Sequence, residues 1–151
     1  MSTYKHILVA IDGSEIADHA LKEAILVGTD MQAQLRIVHV IDEVPMIVWA
    51  TAYANLDAVR GSYRQAAEKM LDRALATVQN AGLEADIRLI ENTTFGPRVG
   101  ELVTHEAETW PADLIVIGTH GRRGVSHVLL GSVAEAVVRV APIPVLLVRG
   151  T

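Results

Sequence analysis

An open parallel α/β sheet with helices on both faces is the fold class that this sequence predicts. Two observations carry the prediction. Short β-branched apolar runs alternate with longer segments of helical period, and the first run, Ile7 to Ile11, is continuously apolar, as a strand buried on both faces is. The resulting order, βαβαβαβαβ, favours parallel pairing through crossover helices. No low-complexity linker and no internal repeat interrupts it. A length of 151 residues suits one domain, residues 1–151, with a single sizeable core.

Ile7-Leu8-Val9-Ala10-Ile11 reads as the first strand. After Asp12-Gly13-Ser14, the residues Ala17, Ala20, Leu21, Ala24, Ile25 and Gly28 follow i, i+3, i+4 spacing, a helix with Ser14 as N-cap. Leu35 to Ile41 is the second strand. Ala67, Met70, Leu71, Ala74, Leu75 and Val78 mark a second helix that ends near Gly82. Ala85 to Ile90 is a weaker third strand. Gly96-Pro97 opens a third helix, with Pro97 at its first position and Val99, Leu102, Val103 and Ala107 as its stripe. Leu114 to Ile117 is the strongest strand. Ser132-Val133-Ala134-Glu135 reads as a capping box opening a fourth helix, with Val133, Val137, Val138 and Ala141 inward. Val145 to Val148 is the last strand. Asp42 to Asp57 is long for a connection and is apolar, carrying Met46, Ile47, Val48, Trp49 and Tyr53. It reads as cover for the core, with a lid or a partner-binding surface as the alternatives.

Composition excludes several classes. Half the residues are hydrophobic, so the chain is not intrinsically disordered. The net charge of −5 argues against nucleic acid as a partner, because neutralising phosphates needs a basic excess. With no cysteine there is no disulfide framework and no thiolate chemistry. Aromatics are 4% of the chain, too few for stacking platforms. No apolar run approaches the roughly 18 residues of a membrane span, and the first is too short for a signal-peptide core. A soluble, cytoplasmic protein is expected.

In open parallel sheets, ligands bind beyond the carboxyl ends of the strands, where strand order reverses. After the fourth strand comes Gly118-Thr-His-Gly121-Arg-Arg-Gly124, followed by Gly131-Ser132 and a helix. Glycines let backbone N–H groups approach an anion, and the helix start adds unpaired donors and the positive end of its dipole. Arg122 and Arg123 add charge, and no acid occurs between Asp113 and Glu135. These are the parts of a phosphate cradle. Each glycine taken singly also reads as a turn residue, and Ser132 as a cap.

The spacing Gly118-x2-Gly121-x9-Gly131-Ser132 matches the signature of ATP-binding universal stress proteins. The chain resembles that family from the opening Ile-Leu-Val-Ala-Ile-Asp12-Gly-Ser, through Asp113-Leu-Ile-Val-Ile-Gly118-Thr-His-Gly121, to the closing Pro-Val-Leu-Leu-Val. The resemblance implies a Rossmann-like five-stranded sheet of order 3-2-1-4-5, a homodimer, and ATP at the switch point. Carried across by position, the nucleotide contacts fall at Ile11, Asp12, Val40, Gly118, Thr119, His120, Gly121, Arg122, Gly131, Ser132 and Val133. Asp12 resembles the acceptor of the ribose hydroxyls, or it serves as charge at the first helix N-terminus. Val40 resembles the backbone position that meets the adenine edge. Mg²⁺ would accompany ATP without a dedicated ligand set visible in the chain.

Other signatures fail. The three lysines, Lys5, Lys22 and Lys69, do not follow glycine as a P-loop requires, and no Gly-x-Gly-x2-Gly follows the first strand. Ser126 misses the nucleophile elbow, and His105-Glu106 lacks the second histidine of a zinc helix. His120 and His127 read as loop histidines and His39 as a hydrogen-bonded core residue. The last strand, Val145 to Val148, reads as an apolar sheet edge, which a second copy of the chain would cover. A nucleotide-dependent dimeric module acting on an unknown protein partner in a stress response is the expected function. A slow ATPase or adenylyl-transfer enzyme is the alternative, ahead of a structural dimer that binds no nucleotide.

Overall fold

The computed structural model describes residues 3–43, 56–120 and 130–150. Along the chain run β1 (His6–Ala10), α1 (Glu15–Met31), β2 (Gln34–Asp42), α2 (Leu56–Asn80), β3 (Ala85–Asn92), α3 (Val99–Thr109), β4 (Leu114–Gly118), α4 (Ser132–Val140) and β5 (Val145–Val148). The strands form one sheet in the order β3-β2-β1-β4-β5, every pair parallel. This is the expected architecture.

Alternation along each strand divides the core between two faces. Ile7, Val9, Leu35, Ile37 and Val116 pack under α1 and α2, against Ala20, Ala24, Leu71 and Val78. Leu8, Val38, Ile115 and Ile117 pack on the other face under α3 and α4, against Val103, Ala107 and Val137. Right-handed crossovers on either side of β1 produce this split, and a strand covered on both sides has no polar face to show. Each fully buried Ile or Leu contributes about 2 kcal/mol of transfer free energy.

The helix starts show where local chemistry acts. Ser14 is extended (φ −78°, ψ 161°) and its Oγ accepts the Ala17 N–H at 3.1 Å, capping α1 as expected. α2 begins at Leu56, well before the apolar stripe at Ala67. Its first turns lack a stripe and are tied down by charge: Arg60 lies 3.3 Å from Glu43, and Arg64 grips Glu91 at 2.7 and 2.8 Å. Pro97 is not the first residue of α3. Arg98 is the N-cap and Val99 the first helical residue, while the Pro97 carbonyl accepts from Asn92 Nδ2 at 3.1 Å and belongs to the preceding turn.

The capping box at Ser132 does not form. Gly131 takes the N-cap position, Ser132 is already helical, and Glu135 pairs forward with Arg139 at 2.6 Å. The register this sets buries Ala134 and Val137 and leaves Val138 exposed. The predicted connection Asp42 to Asp57 falls largely outside the described residues, and Met46 to Tyr53 wholly so.

Toward the amino ends of the strands, a charged cluster ties β2 and β3 to α3. Arg36 binds Asp86 through two bonds of 2.8 and 2.9 Å and Glu106 through one of 3.0 Å, and its guanidinium lies 4.8 Å from the Trp110 ring centroid. Asp86, and then Glu106, hold the Arg36 guanidinium above its ordinary range against the opposing effect of burial. Glu106, buried on α3, also receives Arg88 at 3.3 Å.

Candidate functional site

From β1 the chain moves outward to β2 and β3, then returns to the other side of β1 for β4 and β5. The connections at the carboxyl ends of β1 and β4 therefore diverge and leave a crevice between them. Past Ala10 the backbone stays against β2: the Ile11 N–H donates to the Val38 carbonyl at 2.9 Å. The Ile11 carbonyl lies 2.8 Å from His39 Nδ1. A carbonyl only accepts, so Nδ1 is the protonated nitrogen in this bond. Asp12 Oδ1 accepts the Ser14 N–H at 3.0 Å, and Gly13 turns the chain at φ +83°, a conformation that glycine adopts without strain. Asp12 is thus held at the mouth of the crevice by the turn that starts α1.

The other wall is closed by hydrogen bonds at β4. The Thr119 N–H donates to the Val148 carbonyl at 2.9 Å, and the Gly131 N–H donates to the Thr119 carbonyl at 2.6 Å. Thr119 Oγ1 lies 3.2 Å from His120 Nδ1. Gly131 thus returns to the strand end that the chain left at Thr119 and begins α4 there. No side chain caps α4 or α3, so the positive ends of two helices flank the crevice.

The crevice has two lobes. A cavity of about 80 Å³ has an apolar floor of Ala10, Val38, Val40 and Ile117, with Asp12, His39 and His120 as its ionisable lining. A cleft of about 300 Å³ adjoins it, sharing Val99 and Val133, and is bounded by Asp42, Thr94, Arg98 and Ser132 among others. An apolar slot beside polar groups suits a ligand with a flat, weakly polar part and an anionic part. Among the described residues, no three His, Asp or Glu side chains cluster as a metal site would require.

Of the residues picked out by the sequence, Ile11, Asp12, Val40, Gly118, His120 and Val133 line the small cavity, and Ser132 joins Val133 in the larger cleft. Thr119 and Gly131 meet through their hydrogen bond at the wall. Gly121, Arg122 and His127 lie outside the described residues. The sequence reading missed the turn between β3 and α3, which brings Asn92, Thr94, Pro97 and Arg98 to the cleft. Its signal was the pair Gly96-Pro97, read only as a helix opening. His39 was read as a hydrogen-bonded core residue. It does make that bond, but it is half-buried and is among the residues that line the cavity.

An open doubly wound α/β protein with a ligand-sized crevice at its switch point is the class that this geometry defines. The model of the universal stress protein family matches residues 3–149, and the chain belongs to that family. A universal stress protein of Methanocaldococcus jannaschii is 32% identical over 146 residues, covering 97% of this chain and 82% of its own length. The solved structure of hypothetical protein MJ0577 superposes with a TM-score of 0.87 at 26% identity, covering 99% of this chain and 98% of that one. A family member from Burkholderia pseudomallei gives 0.76 at 33% identity, with 98% of each chain covered. More distant members of the same fold have been solved with dAMP, at 22% identity and a TM-score of 0.68, and with cAMP, at 23% and 0.67. No helix among the described residues is long and apolar enough to cross a membrane.

Proposed function

We propose that residues 1–151 act as one cytoplasmic domain that binds ATP in this crevice and works as a nucleotide-dependent, dimeric regulatory module. The observation that carries the reading is the apolar slot at the switch point, with the Asp12 carboxylate at one side and the uncapped start of α4 at the other. The adenine would lie in the slot with its edge toward the Val40 backbone. Asp12 would accept from the ribose hydroxyls beside Ile11. Gly118, Thr119, His120, Gly131, Ser132 and Val133 would surround the ribose and phosphates, joined by Gly121 and Arg122 through the glycine spacing. Relatives of the same fold in complex with dAMP and cAMP make adenine nucleotides the ligand class to test first. Any Mg²⁺ would be held by the phosphates of the nucleotide rather than by a protein cluster.

The dimer contact would fall at β5, an edge strand of the sheet that follows α4, whose Val138 and Val140 are exposed. The dimer would present its surface to a protein partner as nucleotide comes and goes.

The test is direct. The purified chain is denatured and the released nucleotide is separated by chromatography, with calorimetry of the nucleotide-free protein alongside. Recovered ATP is the expected result. ADP or AMP accumulating with time would favour the enzyme reading, and no nucleotide bound or released would leave a structural dimer. Gly131→Ala and Gly121→Ala are each expected to abolish binding, and unchanged ATP affinity in both would refute the site.

A further inference from the structure

We propose that His39 is a positioning residue for the ribose end of this site. By donating from Nδ1 to the Ile11 carbonyl, it fixes the Asp12 carboxylate and so sets the preference for a nucleotide with both ribose hydroxyls. The inference rests on the nucleotide reading above and goes beyond it by assigning a role to a residue outside the glycine signature.

The geometry carries it in three steps. In an unbroken parallel ladder, the Ile11 N–H to Val38 bond would be followed by the Ile11 carbonyl accepting from the Val40 N–H. Here that carbonyl is met at 2.8 Å by the imidazole of His39, one residue earlier on β2, and Val40 is left lining the cavity wall. The strand end is therefore held by a side chain at the point where the backbone turns toward the ligand. Second, Ile11 precedes Asp12, whose carboxylate is itself fixed by the Ser14 N–H at 3.0 Å across the Gly13 turn. Between the His39 bond and the α1 cap, the position of the carboxylate is set on both sides. Third, His39 is among the residues that line the same cavity as Asp12, so the brace lies at the site itself. A binding group must be held to roughly half an ångström, so the residue behind it governs selectivity.

Four variants and two ligands test this. In an Asn side chain, Nδ2 occupies nearly the place of the histidine Nδ1, so His39→Asn keeps the donor. His39→Gln presents its amide further out, and His39→Phe keeps the ring without the donor. Asp12→Asn removes the carboxylate itself. Dissociation constants for ATP and 2′-deoxy-ATP are measured by calorimetry, with thermal melting to confirm folding. The wild-type chain should prefer ATP by about tenfold, the scale of one hydrogen bond. Asp12→Asn, His39→Phe and His39→Gln should bring that preference to within about twofold, while His39→Asn retains most of it. Should His39→Phe fail to fold, the comparison of Asn with Gln decides.

A preference that survives in Gln and Phe, is lost equally in Asn, or is absent from the wild type would overturn the assignment of His39 alone. A wild-type chain that binds no ATP at all would overturn the nucleotide reading itself.

Discussion

At Gly118 an added Cβ would sit 2.5 Å from Ile16 Cγ2 and 3.5 Å from the Ile16 backbone, closer to the first than packed carbons come. This first glycine of the signature is therefore required by the packing of α1 on β4 as well as by any ligand. Gly118→Ala is expected to destabilise the fold by about 1–3 kcal/mol, the usual cost of overpacking. Adding Ile16→Ala should return part of that loss in urea unfolding; strict additivity of the two changes would contradict the clash. Gly131 differs. Its backbone (φ −71°, ψ 165°) is open to any residue, so Gly131→Ala brings no backbone strain, and thermal melting beside the ATP titration separates a loss of the N-cap from a loss of the site. Gly100 resembles Gly118, since its Cβ would lie 2.5 Å from Ala136 Cβ and 3.0 Å from the Val133 carbonyl. That close approach lets α3 and α4 meet behind the cleft.

Two serines stand at helix starts and do different work. Ser14 caps α1 through its side chain, and Ser14→Ala should cost about 1 kcal/mol in chemical denaturation. Ser132 is inside the first turn of α4 and makes no such bond, so Ser132→Ala should change stability by less than about 0.5 kcal/mol while weakening ATP. A loss of about 1 kcal/mol from Ser132→Ala would restore the capping box.

These cases show what the chain declares in its own order. Runs such as Leu114 to Ile117 announce buried parallel strands because burial on two faces leaves no polar alternation. Periodicity found α1 and the later turns of α2 for a similar reason. The start of α2 was not readable, because ion pairs from Arg60 and Arg64 to distant acids replace an apolar stripe there. The caps at Arg98 and Gly131 were misplaced by one or two residues. Backbone geometry chose them over the side chains with the better propensity. In the site, Gly118 was visible through its spacing, and Asp12 and Val133 through the family resemblance. His39 and Arg98 serve it from neighbouring strand and turn positions that only the sheet order brings close.

Across the whole molecule, the proposed dimer gives light scattering a plain outcome. A mass near twice 16.3 kDa is expected at micromolar concentration, and a charge placed at the exposed Val140, with thermal melting to confirm folding, should return the monomer. Acid stability has one identifiable contribution. The hydrogen bonds from Arg64, assisted by its charge, hold the Glu91 carboxyl below its ordinary range against the effect of partial burial. The folded chain then binds fewer protons at this group than the unfolded chain does. The stabilisation is therefore present above the ordinary carboxylate range and is lost as pH falls through the lowered value. Glu91→Gln should flatten the acid side of the stability–pH curve slightly, since the pair is largely exposed to screening. Urea midpoints compared on either side of about pH 4 would detect this.

The strand order has a further consequence, for hydrogen exchange. β1 is flanked by β2 and β4 and covered above and below, whereas β3 and β5 are the outer strands of the sheet among the described residues, and β5 is the one proposed to meet a second copy. Amide protons of Ile7 to Val9 and Leu114 to Val116 should therefore be the last to exchange, released only by global opening, while those of β3 leave through local fraying. The crevice stands at the ends of the two slowest strands. Its apolar floor belongs to the most persistent part of the molecule, and a ligand held there would be the last thing that partial unfolding disturbs.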